Sequence, residues 1–272
     1  MNKKIVTIQD ISCYGQCSIT VALPILSSYG FETAILPSAI LSTHTSGFKN
    51  FTVHDLSDEI PKIIKHWQDE KIKFDCLYSG YLGDNKHFDL VLQMKDTLLN
   101  KDGLFVLDPV MGDGGKLYPA FNMDYVNGMT KLIKEASIIL PNLTEASLLT
   151  GIPYKEKYDE EYIKSIIKGL SDLGAKAIIL TGVSYKDNKT GALLYQNGEM
   201  KYYEHDKINK SYHGTGDIYA SSFIGNLLRT NDYYLSMKKA CEFVVACIKN
   251  TIDDESHPYG VKFEPLLSEY TK

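Results

Sequence analysis

The chain has little of what marks several protein classes. Cysteine is sparse and odd in number: Cys13, Cys17, Cys76, Cys241 and Cys247 fit no zinc or redox spacing, which excludes a disulfide scaffold or a zinc module. All five read as buried thiols of a protein in a reducing cytoplasm. No apolar run reaches the ~20 residues of a membrane span, and Ile5 to Ile8, after the basic start, is too short for a secretory core. A basic excess is missing as well. The 29 Lys and Arg stand against 34 Asp and Glu, a formal net charge of −5, so the footprint of a nucleic-acid binder is absent. There is no internal repeat, no low-complexity tract, no Gly-Lys-Ser/Thr of a Walker A loop, and no Gly-x-Gly-x-x-Gly after the first strand. A P-loop enzyme and a Rossmann dehydrogenase lose weight, and a small-molecule partner gains it.

What is present is a rhythm. At 272 residues and 44% apolar, the chain is long enough for one large domain, residues 1–272, with a substantial core. Short apolar runs at 4–9, 33–40, 74–78, 104–107, 137–140 and 177–180 read as strands. Between them lie helical patterns at 18–28, 55–70, 87–99, 125–135, 142–149 and 161–173. Pro24 falls inside the first of these and predicts a kink or a late start. Asn197-Gly198 joins 191–195 to 200–203 as a hairpin that finishes a sheet edge, and two long helices, 217–228 and 235–252, close the chain. Strands spaced by helices predict an α/β fold with a mostly parallel sheet covered on both faces. Such sheets bind ligands beyond the carboxyl ends of their strands.

Several polar segments fall at those ends. Gly214-Thr215-Gly216-Asp217 precedes an apolar helix. Two glycines let backbone N–H groups converge on an anion, and Asp217 would stand beside it to take a proton. An ordinary cap, with Thr215 at N-cap, accounts for the same four residues equally well. Asp108-Pro109-Val110-Met111-Gly112-Asp113-Gly114-Gly115 offers two carboxylates in a glycine-rich loop, suited to Mg²⁺ and phosphate or to local backbone capping. Asn142-Leu143-Thr144-Glu145 has capping-box spacing. Glu145 would also face the edge that carries Asp108 and hold a metal through water, a role that would leave it unable to close the box. The polar loop from Ser42 to Gly47, which includes His44 and Thr45, suits either a polar aromatic ligand or the surface. His213 reads as a wall residue.

Taken together, these segments resemble the pyridoxal/pyridoxamine kinases of vitamin B6 salvage, within the ribokinase-like superfamily, over nearly the whole chain from Asp10-Ile11-Ser12 onward. The resemblance implies a three-layer α/β/α sandwich with a small edge lid. It implies transfer of the γ-phosphoryl of ATP to the 5′-hydroxymethyl of a B6 vitamer, with Asp217 as base and the N–H groups of Gly214, Thr215 and Gly216 as anion hole. Asp108, Asp113, Asn142 and Glu145 would serve Mg²⁺ and phosphates, with K⁺ as a further cation, and Thr181-Gly182 would touch the nucleotide. Ser12, His44, Thr45 and Tyr81 would contact the vitamer. A homodimer is implied as well, with neither nucleic acid nor membrane as partner. A hydroxymethylpyrimidine kinase of thiamine synthesis shares the Asp-Pro-Val-Met and Gly-Thr-Gly-Asp segments and is the alternative. It usually opens with Gly-Ser-Asp and several glycines, where this chain has Gln9 to Gln16. Residues 15–18, Gly-Gln-Cys-Ser, also differ from the Gly-x-Val-Gly-Asn of better-known pyridoxal kinases. A sugar kinase would need a larger lid than 33–54 supplies, and a non-catalytic binding protein with this fold would be marked by loss of Asp217.

Overall fold

The computed structural model describes residues 3–271. In chain order the main elements are β1 (Lys4–Ser12), α1 (Ile19–Ser28), β2 (Glu32–Leu41), β3 (Val53–Asp55), α2 (Ile60–Asp69), β4 (Phe74–Ser79), α3 (Lys86–Leu98) and β5 (Leu99–Leu107). There follow β6 (Gly112–Asp113), β7 (Lys116–Leu117), α4 (Met123–Ile133), β8 (Ile138–Ile139), α5 (Leu143–Thr150) and α6 (Glu160–Asp172). The last are β9 (Ala177–Val183), β10 (Lys189–Gln196), β11 (Glu199–Asp206), α7 (Thr215–Thr230), α8 (Tyr233–Thr251) and a terminal turn, α9 (Leu267–Tyr270).

The main sheet runs β11-β10-β9-β8-β5-β4-β1-β2-β3. Its centre is parallel, from β2 through β9. Antiparallel β3 closes one edge and the β10–β11 hairpin the other. Side-chain alternation along the strands separates two cores. Val6, Ile8, Leu77, Phe105, Leu107, Ile139 and Ile178 pack against α2 to α6. Their neighbours Ile5, Cys76, Tyr78, Val106, Ile138 and Ile179 pack against α1, α7 and α8. The period-2 pleat thus feeds a helical layer on each face, the three-layer arrangement expected of apolar runs in a parallel sheet. A two-stranded ribbon, β6–β7, stands apart from the main sheet.

Three sequence expectations change in detail. The helix expected over 55–70 begins at Ile60, with Pro61 in its first turn. Before it, Val53–Asp55 pairs with β2, and Asp55 Oδ1 accepts the Ser57 N–H, a local turn that competes with helix. Pro24 lies within α1, which continues through it. Of the five cysteines expected to be buried, Cys76, Cys241 and Cys247 are, Cys17 is half-buried and Cys13 is exposed; all are free. Cys13 lies just beyond the end of β1, where the chain leaves the sheet for solvent.

Candidate active site

The carboxyl ends of β5, β8 and β9 and the start of α7 open onto a cleft of about 740 Å³. Asp108, Asn142, Glu145, Thr181, Gly182 and Asp217 line it, together with Asp113, His213 and Gly214 to Gly216. The phosphate-side residues expected from the sequence therefore share one cleft. Ser12, His44, Thr45 and Tyr81 do not line it; Ser12 ends β1, and the His44 ring lies near His213 of the cleft wall.

Gly214 starts α7 at φ +78°, and no side chain caps that helix. Thr215 is the first helical residue, and its hydroxyl donates to the Tyr212 carbonyl at 3.2 Å, so the expected Thr215 N-cap is not formed. A Cβ on Gly214 would lie 1.8 Å from the Gln16 carbonyl oxygen. Residue 214 must therefore be glycine for two reasons, its left-handed backbone and this close approach. The result is a helix N-terminus with unpaired N–H groups aimed into the cleft, an environment that favours negative charge.

Asp217 sits in the first turn of α7. Its Oδ2 accepts the Ser18 N–H at 2.9 Å. Burial pushes its pKa up to about 7, and the nearby Asp10 adds to the rise against the lowering by Ser18. A carboxylate so placed has a basicity matched to neutral pH. Ser18 itself carries φ +54° and ψ −130°, a backbone region that L-residues avoid and that tertiary contacts must enforce.

The opposite wall is interlocked. Asn142 and Glu145 close the capping box: Asn142 Oδ1 accepts the Glu145 N–H at 3.0 Å, and Glu145 Oε2 accepts the Asn142 N–H at 2.9 Å. Glu145 Oε1 also accepts the Met111 N–H at 3.1 Å, and Asn142 Nδ2 donates to the Gly112 carbonyl at 2.9 Å. The expectation that Glu145 must choose between the box and the cleft is thus corrected. It closes the box and lines the cleft, because each carboxylate oxygen has more than one lone pair. Thr144 Oγ1 accepts the Gly115 N–H at 2.9 Å, which fastens the other end of the 108–115 loop to α5. Asp108 and Glu145 are buried, and burial first, then each one's neighbouring carboxylate, holds both well above the usual carboxylate range. Among the described residues no cluster of three His, Cys, Asp or Glu is close enough to grip a metal directly. Gly182, at φ +74°, leaves open space where a Cβ would stand, and Thr181 N–H donates to the Pro141 carbonyl.

Beside the cleft, His44 is buried and its ring is fully committed. Its Nδ1 accepts the Ser46 N–H, so Nε2 carries the proton that faces the Tyr259 carbonyl at 3.1 Å. Both ring nitrogens of His44 thus face backbone groups. The ring also clasps neighbouring segments: a Cβ on Gly15 would fall 2.2 Å from it, and Phe48 and His213 lie 4.9 and 5.7 Å from it between centroids. Tyr14 packs on Tyr259 at 4.9 Å. Ser12 is buried and donates its hydroxyl to Asp10 Oδ2 at 2.9 Å. Thr45 is exposed. Tyr81 is half-buried against Phe121, its phenol raised to about 12 by burial and by Asp10.

Sequence reasoning missed Asp10, Ser18 and Tyr259. Nothing local marks Tyr259, which reaches the site from beyond α8. It also missed the far end of the cleft, where Val244 and Ile248 of α8 face residues 207–211.

The sequence profile of the phosphomethylpyrimidine kinase family matches residues 5–261. The chain belongs to that family. A pyridoxal kinase from Lactobacillus plantarum is 32% identical and superposes with a TM-score of 0.90 over 98% of this chain and 96% of its own. A Bacteroides thetaiotaomicron protein, provisionally described as a phosphomethylpyrimidine kinase and crystallised with pyridoxal, is 36% identical. Its TM-score is 0.93, over 100% of this chain and 96% of its own. A pyridoxal kinase of Granulibacter bethesdensis is 26% identical over 92% of this chain and 90% of its own. The ribokinase-like α/β fold and the likeness to pyridoxal kinases stand as the sequence implied them.

Proposed function

We propose that this family member is a pyridoxal kinase, acting as one unit over residues 1–272: it transfers the γ-phosphoryl of ATP to the 5′-hydroxymethyl of a B6 vitamer. The observation that carries the reading is Asp217, held by the Ser18 N–H in the first turn of an uncapped helix. It supports a base and an anion cradle side by side. The vitamer hydroxyl would lie against Asp217, which takes its proton as the O–P bond forms. The N–H groups of residues 214–216 would hold the charge on the transferred phosphoryl. The Gly182 opening and Thr181 suit the polyphosphate, and the apolar wall of Val244 and Ile248 with Lys207 and Lys210 suits the base and sugar.

Asp108, Asp113, Asn142 and Glu145 suit Mg²⁺ held through its water shell. The buried Asp108 and Glu145 pair with no cation among the described residues, and the donors are the oxygens a hard cation takes. Such an ion would supply charge neutralisation of the phosphates. The expectations of a homodimer, a cytoplasmic location and K⁺ rest on the resemblance and belong to this same reading. Among the described residues no helix is long and apolar enough to cross a membrane.

A pyrimidine substrate is the second reading, favoured by the family profile and by a hydroxymethylpyrimidine/phosphomethylpyrimidine kinase of Aquifex aeolicus. That protein is 31% identical, over 57% of this chain. ADP release with each vitamer and with hydroxymethylpyrimidine offered separately decides between the two.

A further inference from the structure

At the end of β1 lies a carboxylate that the phosphoryl-transfer chemistry does not use. Asp10 is 4% exposed and pairs with no cation among the described residues. The Ser12 hydroxyl donates to its Oδ2 at 2.9 Å. Tyr81, His44, Cys17 and Asp217 are the titratable groups whose charges it feels. His44 is the one among them that favours the charged form of Asp10, but both of its ring nitrogens face backbone partners, so it donates no hydrogen bond to the carboxylate. Ser18 stands between the two carboxylates. Its N–H binds Asp217, and its hydroxyl, with that of Ser12, partly offsets the rise that burial imposes on Asp10. A charge buried with hydroxyl partners alone is costly to hold unless a ligand supplies the missing positive donor.

The proposed substrates have such a donor. Pyridoxal, pyridoxamine and pyridoxine differ at C4, where the aldehyde offers no proton, but share a pyridine ring with a 3-hydroxyl. At neutral pH that ring is populated as a dipolar ion, N–H⁺ with a 3-phenolate. The ring N–H⁺ is then the donor common to all three. Resting on the B6 reading above, we propose that Asp10 accepts a hydrogen bond from the protonated ring nitrogen of the vitamer. Asp10 is thereby a specificity residue for a pyridinium ring, with Ser12 as its positioning residue rather than a direct ring contact.

The test compares pyridoxine with its benzene analogue, which has C–H in place of the ring nitrogen. Wild-type kcat/KM should favour pyridoxine by about 10- to 100-fold, the worth of a hydrogen bond to a charged group. Asp10→Asn, which keeps shape and an acceptor for Ser12, should lose most of that preference by lowering pyridoxine turnover alone. Bound pyridoxine should show the absorption band of the dipolar ion on the wild type and that of the uncharged ring on the variant. Equal loss on both substrates, with an unchanged band, would mean that Asp10 only supports the fold and would overturn the proposal. If Asp10→Asn does not fold, the wild-type comparison still decides: equal kcat/KM on the two substrates overturns it. Wild type that neither binds nor phosphorylates pyridoxine fails at the first step, before any variant is made, and removes the B6 reading together with this one.

Discussion

The two halves of the site are held together by different means. On the phosphate side, the 108–115 loop, the start of α5 and the strand end at Thr181 are laced by backbone and capping hydrogen bonds. Each partner lies in a short segment with its own signature. On the other side, the end of β1, the 42–48 loop and the 257–260 turn meet through an aromatic clasp of Tyr14, His44, Phe48 and Tyr259. The phosphate half is a rigid electrostatic frame. The other half is a packed seam whose parts are far apart in sequence, and it is where the proposal puts ring specificity.

The largest expected effect breaks the meeting point of the halves. Asp217→Asn should lower kcat by about 10²- to 10⁴-fold, the range for a general base, with KM for ATP and the melting temperature little changed. Stopped assays and thermal melts on the same samples check this. Near-wild-type kcat would remove the base. Next comes Gly214→Ala. Its methyl would collide with the Gln16 carbonyl and displace the anion cradle, so kcat should fall by about 10²- to 10³-fold, as for a lost oxyanion donor. A full-activity variant would show that the seam yields without cost.

Glu145→Gln sharpens the phosphate side. Both carboxylate oxygens accept N–H groups, so an amide NH₂ must face one donor with another. Denaturant melts should show a loss of about 1–3 kcal/mol, and the Mg²⁺ concentration for half-maximal rate should rise. An unchanged Mg²⁺ profile counts against the metal role.

A smaller effect is read from pH. Asp217 must lose its proton to act, so kcat/KM should rise through about pH 7. Stability moves the other way. Because the folded-state pKa lies above the unfolded value of 3.8, the folded form binds more protons between the two. This residue's contribution therefore declines as pH climbs from about 4 to 7. The smallest expected change is Tyr259→Ala, which removes a ring from the clasp but leaves the carbonyl that holds His44. It should raise KM for the vitamer several-fold while leaving KM for ATP unchanged, and a matching rise in both would deny that the two halves are separate.

This contrast also explains what was legible in sequence. Gly214 to Asp217, Asp108 to Gly115 and Asn142 to Glu145 are local signals, in which glycine, carboxylate and cap spacing declare their geometry within a few residues. The layered fold is legible for the same reason, since strand alternation and helix periodicity are local. The start of α2 was obscured because the apolar spacing continues through a turn fixed by Asp55 and Pro61. The backbone partners of His44 were not legible, because an imidazole in a polar loop says nothing of which backbone groups will face it. Ser18 could not be read at all, since the carboxylate that its N–H binds, Asp217, lies 199 positions away. Asp10 carries no local signal, because only its burial reveals that no salt bridge among the described residues accompanies it.

The measurement that bears most directly on this account is ADP formation by the purified protein with ATP and Mg²⁺, each candidate alcohol supplied alone, with Asp217→Asn run in parallel. The account predicts turnover of pyridoxal, pyridoxamine or pyridoxine well above that of hydroxymethylpyrimidine, and near-silence from the variant. Turnover of the pyrimidine alone, or of a vitamer by the variant at the wild-type rate, would contradict it.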